Sequence, residues 1–108
     1  MTSVVPRIFT DDVEGVVGFL RTVFEASGDV LDGRPSEIHI GDSVVVSSTD
    51  ERPPFPAFLY VYVDDVDAAF ARALDLGATG IEEPLDTHYG QRRAMVEDPF
   101  GNVFQIAT

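Results

Sequence analysis

An α+β fold made of two βαβββ modules is what this sequence predicts, and three observations predict it. The stretch "IFTDDVEGVVGFLRTVFEA" superposes without gaps on "VYVDDVDAAFARALDLGA" at an offset of 53, pairing Asp11 and Asp12 with Asp64 and Asp65. Farther on, "IGDSVVV" matches "FGNVFQI" at an offset of 60, so the second copy carries the longer insertion before its last strand. Within each copy a β-branched and aromatic run is followed by apolar residues at helical spacing and then by short runs divided by turn formers. Duplication of one supersecondary unit is the economical explanation.

The first strand is expected in "SVVPRIFT", whose branched and aromatic residues favour extended backbone. Asp12 then stands where an N-cap carboxylate satisfies free helix amides, with Glu14 in the first turn against the helix dipole. Val13, Val16, Val17, Leu20, Val23 and Phe24 follow at helical spacing. Three short strands should come next, split by "DGRP" and "IGDS". The segment "SSTDERPPFP" has the composition of a linker, and its consecutive prolines disfavour helix. The second copy repeats the order. It has a strand in "AFLYVYV", Asp65 as N-cap, a helix carrying Val66, Ala69, Phe70, Ala73, Leu74 and Leu76, and Gly77 ending that helix. Three strands should follow, split by "EEPLDTHYG" and "DPFG". The expected organisation is one domain over 1–108, with module one at 1–50, a linker at 49–56 and module two at 57–108.

Composition narrows the chemistry. A chain of 108 residues can bury roughly two-thirds of its unfolded surface, enough for a real core. Cysteine and lysine are both absent, which excludes disulfides, thiolate ligands, cysteine nucleophiles and Schiff-base lysines. His39 and His88 are the two imidazoles, so no three-histidine mechanism is possible. The formal charge of −12 repels phosphate backbones and anionic lipid, which argues against nucleic acid and membrane partners and is compatible with a neutral or cationic small molecule. No apolar run has the length of a membrane span, and "MTSVVPRIFTDD" lacks the basic and long apolar regions of a signal peptide. A soluble cytoplasmic protein is the expectation.

Taken together, "DDVEGVVGFLRTVF", "IGDSVVV", "YVDDVDAAFARALDLGA", "YGQRR" and above all "EDPFGNVFQI" resemble the vicinal oxygen chelate superfamily of glyoxalases, bleomycin resistance proteins and extradiol dioxygenases. The sequence is most similar to its short glyoxalase-like subgroup, often called PhnB-like. The resemblance covers nearly the whole chain. It implies that two βαβββ modules join their sheets into an open half-barrel cup with helices outside, and that the protein is a homodimer.

Strand alternation separates two faces. Val4, Ile8, Leu59, Val61, Val63, Val44, Val46, Phe104 and Ile106 share an apolar face that should pack under the helices. Val5, Arg7, Phe9, Phe58, Tyr60, Tyr62, Ser43, Val45, Ser47, Val103 and Gln105 share the opposite face, together with Glu37 and His39. Arg93, Met95 and Glu97 join it by opposing Ala94 and Val96. A mixture of aromatic, hydroxyl, guanidinium and amide groups is what small-molecule cavities use. In the resemblance this face lines the cup, and the four positions that usually carry metal ligands read Val5, Val45, Phe58 and Gln105. Three have no donor atom, and one neutral amide does not hold a divalent cation against water. No metal and no other cofactor is therefore expected.

The candidate ligand contacts are Arg7, Phe9, Phe58, Tyr60, Tyr62, Ser47 and Gln105, with His88 and Tyr89 from "DTHYGQRR", which in similar proteins folds over the mouth of the cup. Bland alternatives stand beside them: Arg7 paired with an acid such as Glu37, the aromatics as core or dimer packing, Gln105 bonded to a neighbouring strand's side chain, and Arg92 and Arg93 paired with Glu97, Asp98 or other acids. The leading expectation is a metal-independent small-molecule-binding protein that sequesters an antibiotic or metabolite. Second is an enzyme of the same fold with His39 or Glu37 as general base and Arg7 or Tyr60 stabilising negative charge. Third is a metal-dependent glyoxalase or dioxygenase.

Overall fold

The computed structural model describes residues 2, 4–47 and 52–108, with the backbone alone at 42–45 and 47. The chain divides into two compact units, Met1–Ala57 and Phe58–Thr108, each with its own helix and sheet.

In the first unit, β1 (Arg7–Phe9) is followed by α1 (Val13–Phe24), β2 (Ser36–Ile40) and β3 (Asp42–Ser47). The sheet order is β1-β3-β2, with β1 parallel and β2 antiparallel to β3. Asp12 caps α1 as its carboxylate accepts from the Gly15 N–H at 2.8 Å. The helix buries Val16, Val17, Phe19, Leu20, Val23 and Phe24. Ile8, Ile38 and Val46 are wholly buried in the same unit, so α1 packs its apolar stripe against β2 and β3. Full burial of each such side chain contributes about 1.5–3 kcal/mol.

In the second unit the elements are β4 (Phe58–Tyr62), α2 (Val66–Asp75), β5 (Thr79–Asp86), β6 (Arg92–Glu97) and β7 (Val103–Ala107), in sheet order β4-β7-β6-β5. Asp65 caps α2 by accepting from the Ala68 N–H at 3.1 Å, and Gly77, at φ 91°, turns the chain out of the helix just past Leu76. The buried stripe of α2 is Val66, Ala69 and Ala73, small residues that let the helix lie close to β5, β6 and β7. A Cβ at Gly80 would stand 3.0 Å from the Phe70 ring, a mark of that closeness.

The repeat holds at the level of strand pairing. Arg7 faces Val45 across the parallel pair of the first unit, and Tyr60 faces Gln105 in the second, as the offsets of 53 and 60 require. Ile8 with Val46 and Val61 with Ile106 repeat the match one residue on.

Four expectations are corrected. Among the described residues two strands, not three, follow α1; the equivalent of β5 survives as one bridge between Ser27 and His39. The intervening "GDVLDGRP" contains Gly28 at φ 113°, where a Cβ would come within 2.6 Å of the Glu37 carbonyl oxygen, and this conformation breaks the ladder. In the second unit, "EEPLD" is strand and not turn. It lies on the sheet edge, where Pro84 needs no ladder donor, and two register shifts carry the chain past it. The first strand is three residues long and Val4 is 88% exposed ahead of it, because Pro6 lacks the N–H that would extend the ladder. Leu74 and Leu76 are exposed and not part of the helix stripe.

Candidate functional site

The second unit has two unlike sheet faces. Toward α2 point Val61, Ala94, Val96, Phe104 and Ile106, all buried. On the other face the registers set Tyr60 beside Gln105, Gln105 beside Met95 and Met95 beside Glu82, in one row across four strands. Phe58 beside Val103 and Tyr62 beside Ala107 and then Arg93 form the rows on either side. Phe58, Tyr60 and Tyr62 are 62%, 43% and 67% exposed, and the two tyrosine rings stand 5.1 Å apart. Large aromatic side chains left this open on a sheet face make it a candidate interaction surface. The candidates Phe58, Tyr60, Tyr62 and Gln105 are thus brought together on one face.

Its polar groups are held in place. Arg93 Nε donates to Glu82 Oε1 at 2.9 Å and Arg93 Nη1 donates to the Tyr89 hydroxyl at 3.0 Å. Both contacts raise the Arg93 pKa, Glu82 more strongly, and the ion pair leaves this part of the face without net charge. The Tyr60 hydroxyl donates to Gln91 Oε1 at 3.0 Å. Desolvation, then the phenols of Tyr62 and Tyr89, push the Tyr60 pKa above its ordinary value, so the phenol stays neutral. Tyr89, one of the two loop candidates, reaches the site through Arg93, and His88 packs edge-on against the Tyr89 ring at 5.1 Å. Gln105 is half-buried and no described residue hydrogen-bonds its amide, so the structural partner considered for it on a neighbouring strand is not there.

Glu82 and Gln91 were not legible as site residues. Alternation points to Met95 and Arg93, but Glu82 reaches their row only through the register shifts of β5. Gln91 closes the turn after β5, its backbone exchanging hydrogen bonds with Thr87. The adjacent Arg92 points the other way, donating from Nε to Asp67 Oδ2 at 2.8 Å and from Nη1 to Asp86 Oδ1 at 3.1 Å. It is a strut between α2 and β5 and not a ligand contact.

In the first unit, Glu37 and His39 are exposed on β2 on either side of buried Ile38, as alternation requires, with His39 Nε2 3.8 Å from Glu37 Oε1. Arg7 is exposed, not buried, and its guanidinium lies 4.6 Å over the Phe9 ring. Arg52 approaches the Phe9 and Phe55 rings, at 5.4 Å from each. An exposed cation–π contact of this kind is one of the interactions that hold the Arg7 side chain. The side chains of Ser47, Ser43 and Val45 lie outside the described ones.

A model of the Glyoxalase/Bleomycin resistance protein/Dioxygenase superfamily matches residues 4–106. The anthracycline biosynthesis protein DnrV of Streptomyces peucetius is 32% identical over 116 residues, covering 87% of this chain and 42% of that protein. A protein of Mycobacterium bovis is 45% identical over 51 residues, 47% of this chain and 34% of its own length. The chain therefore spans well under half the length of these curated relatives. The crystal structure of TioX from Micromonospora sp. ML1 shares the fold, with a TM-score of 0.81 at 22% identity, covering 99% of this chain and 98% of that one.

Proposed function

The chain belongs to the Glyoxalase/Bleomycin resistance protein/Dioxygenase superfamily, and from that premise we propose that it is a metal-independent protein that binds an aromatic small molecule, an antibiotic or metabolite, on the open sheet face of its second unit. The observation that carries this reading is the half-buried Gln105 amide, without a described partner, set among Phe58, Tyr60, Tyr62 and Met95. Aromatic rings supply stacking area, and an unused amide supplies orientation. The kinship with an anthracycline biosynthesis protein agrees with a polycyclic aromatic ligand. The reading includes a cytoplasmic homodimer of the short PhnB-like kind.

The resemblance implies strand positions that usually carry divalent-metal ligands, and the residues present there do not fit a metal. Gln105 has Tyr60 and Met95 as its lateral neighbours, Phe58 offers no donor at the strand position that usually carries a ligand, and Glu82 is already engaged by Arg93. Arg7, Phe9, Ser47, His39 and Glu37 belong to the first unit and carry less of the argument.

A thermal-shift screen tests the reading. Hydroxylated polycyclic aromatics present at ~100 times Kd should add about 2.7 kcal/mol of stability, a readily visible shift for a domain of this size. Gln105→Leu should diminish that response, and divalent metals and EDTA should leave the melting temperature unchanged. Stoichiometric nickel, zinc or iron in the purified protein would overturn metal independence.

A further inference from the structure

The Tyr60 hydroxyl has one proton, and its hydrogen bond to Gln91 occupies it. Gln91 Oε1 accepts that proton at 3.0 Å, and Gln91 is held from behind. Its N–H donates to Thr87 Oγ1 at 3.1 Å, while its carbonyl accepts from the Thr87 hydroxyl at 2.8 Å and from the Thr87 N–H at 2.7 Å. A phenol carries one donor and two acceptor lone pairs. With its proton spent, Tyr60 offers a neighbour acceptor capacity only. Tyr89 shows the opposite polarity, because its oxygen accepts from Arg93 and its own proton remains to be given. Gln105, beside Tyr60, offers both a donor and an acceptor.

Resting on the binding reading above, we propose that Tyr60 is a specificity-determining acceptor: the ligand is a planar aromatic compound that presents a hydroxyl or N–H to Tyr60 Oη. The same compound with that group methylated would set an oxygen without a proton against the Tyr60 lone pairs, losing one hydrogen bond and gaining repulsion. Because the phenol stays protonated, it holds Gln91 and its polarity does not invert near neutral pH.

The test is fluorescence titration of the full chain with two neutral probes of equal ring size, 2-naphthol and 2-methoxynaphthalene. The unaltered protein should bind 2-naphthol about tenfold more tightly, the equivalent of one neutral hydrogen bond. Tyr60→Phe, which keeps the ring, should abolish the preference. Gln91→Leu should reduce it, because the released proton lets Tyr60 donate to the methoxy oxygen. Equal affinity for the two probes in the unaltered protein overturns the inference and leaves the binding reading standing, as does a preference unchanged by Tyr60→Phe. Saturable binding of neither probe overturns the binding reading, and this inference with it.

Discussion

At Asp98 one carboxylate holds the turn that launches the last strand. Its Oδ1 accepts from the N–H groups of Phe100 at 2.9 Å and Asn102 at 2.8 Å, and its Oδ2 accepts from Asn102 Nδ2 at 2.9 Å, all while 3% exposed. Burial nonetheless raises its pKa, outweighing the bonds to Asn102 and Phe100 that lower it. A carboxyl whose folded pKa is raised contributes most below its unfolded value of ~3.9, and that contribution falls as pH rises through the folded value. What Asp98 supplies at neutral pH is therefore acceptor geometry more than charge. Asp98→Ala, which strands the two backbone donors, should cost about 2–4 kcal/mol in chemical denaturation. Asp98→Asn keeps one oxygen for both backbone donors while losing the acceptor for Asn102 Nδ2, and should cost clearly less; equal losses would show that the charge or the Asn102 side-chain bond, and not the Oδ1 contacts, holds the turn. From sequence alone "DPFG" is legible as a turn former, but not as a buried carboxylate, because that depends on where the turn docks. Gln105 is legible through alternation, whereas Gln91 is not, since its role comes from a loop closing over a strand 31 residues away in sequence.

Among the elements, α2 and the edge strand β5 are tied by charge as well as packing. Arg92 bridges Asp67 in the first turn of α2 and Asp86 at the end of β5. Its hydrogen bond draws the Asp67 carboxyl below the ordinary carboxylate range, outweighing a desolvation effect that is larger than the further pull of the Arg92 charge, and the two acids raise Arg92 in return. With the folded pKa depressed, the stabilisation is present above the unfolded carboxylate pKa and is lost as pH falls through the folded one. These groups are largely exposed, so the energy is small. The titration is the sharper reading: Arg92→Gln should return the Asp67 midpoint in carboxyl carbon NMR to the ordinary range, and an unmoved midpoint would mean that the helix terminus sets it. The helices and their Asp12 and Asp65 caps follow from local signals of spacing and capping. The edge strands do not. Whether "GDVLDGRP" or "EEPLD" is strand or loop depends on what each can pair with, so one prolongs a sheet through Pro84 and the other leaves only the Ser27 to His39 bridge.

For the molecule as a whole, duplication was the most legible feature, because the offsets of 53 and 60 pair the same strand positions in each unit. Electrostatics is the feature that both units share without any pairing. Nineteen acids face seven arginines, and the ion pairs among the described residues include Arg21 with Asp29, Arg92 with Asp67 and Asp86, and Arg93 with Glu82. Added salt has two opposed effects on such a chain. It weakens exposed pairs worth about 0–1 kcal/mol each, and it screens repulsion among the uncompensated carboxylates of a chain with formal charge −12. The Debye length shrinks from about 30 Å at 0.01 M to about 10 Å at 0.1 M, a range over which long-distance repulsion fades while contacts near 3 Å persist. Repulsion should therefore dominate. The melting temperature should rise with sodium chloride over that range at neutral pH, and should rise less near pH 4.5, where part of the acid charge is neutralised. Sodium chloride is the right probe because sulfate would also strengthen apolar burial and confuse the two causes. A melting temperature that falls with salt at neutral pH would mean that the ion pairs outweigh the excess charge, and that the acidic surface is arranged in attractive networks and not merely spread for solubility.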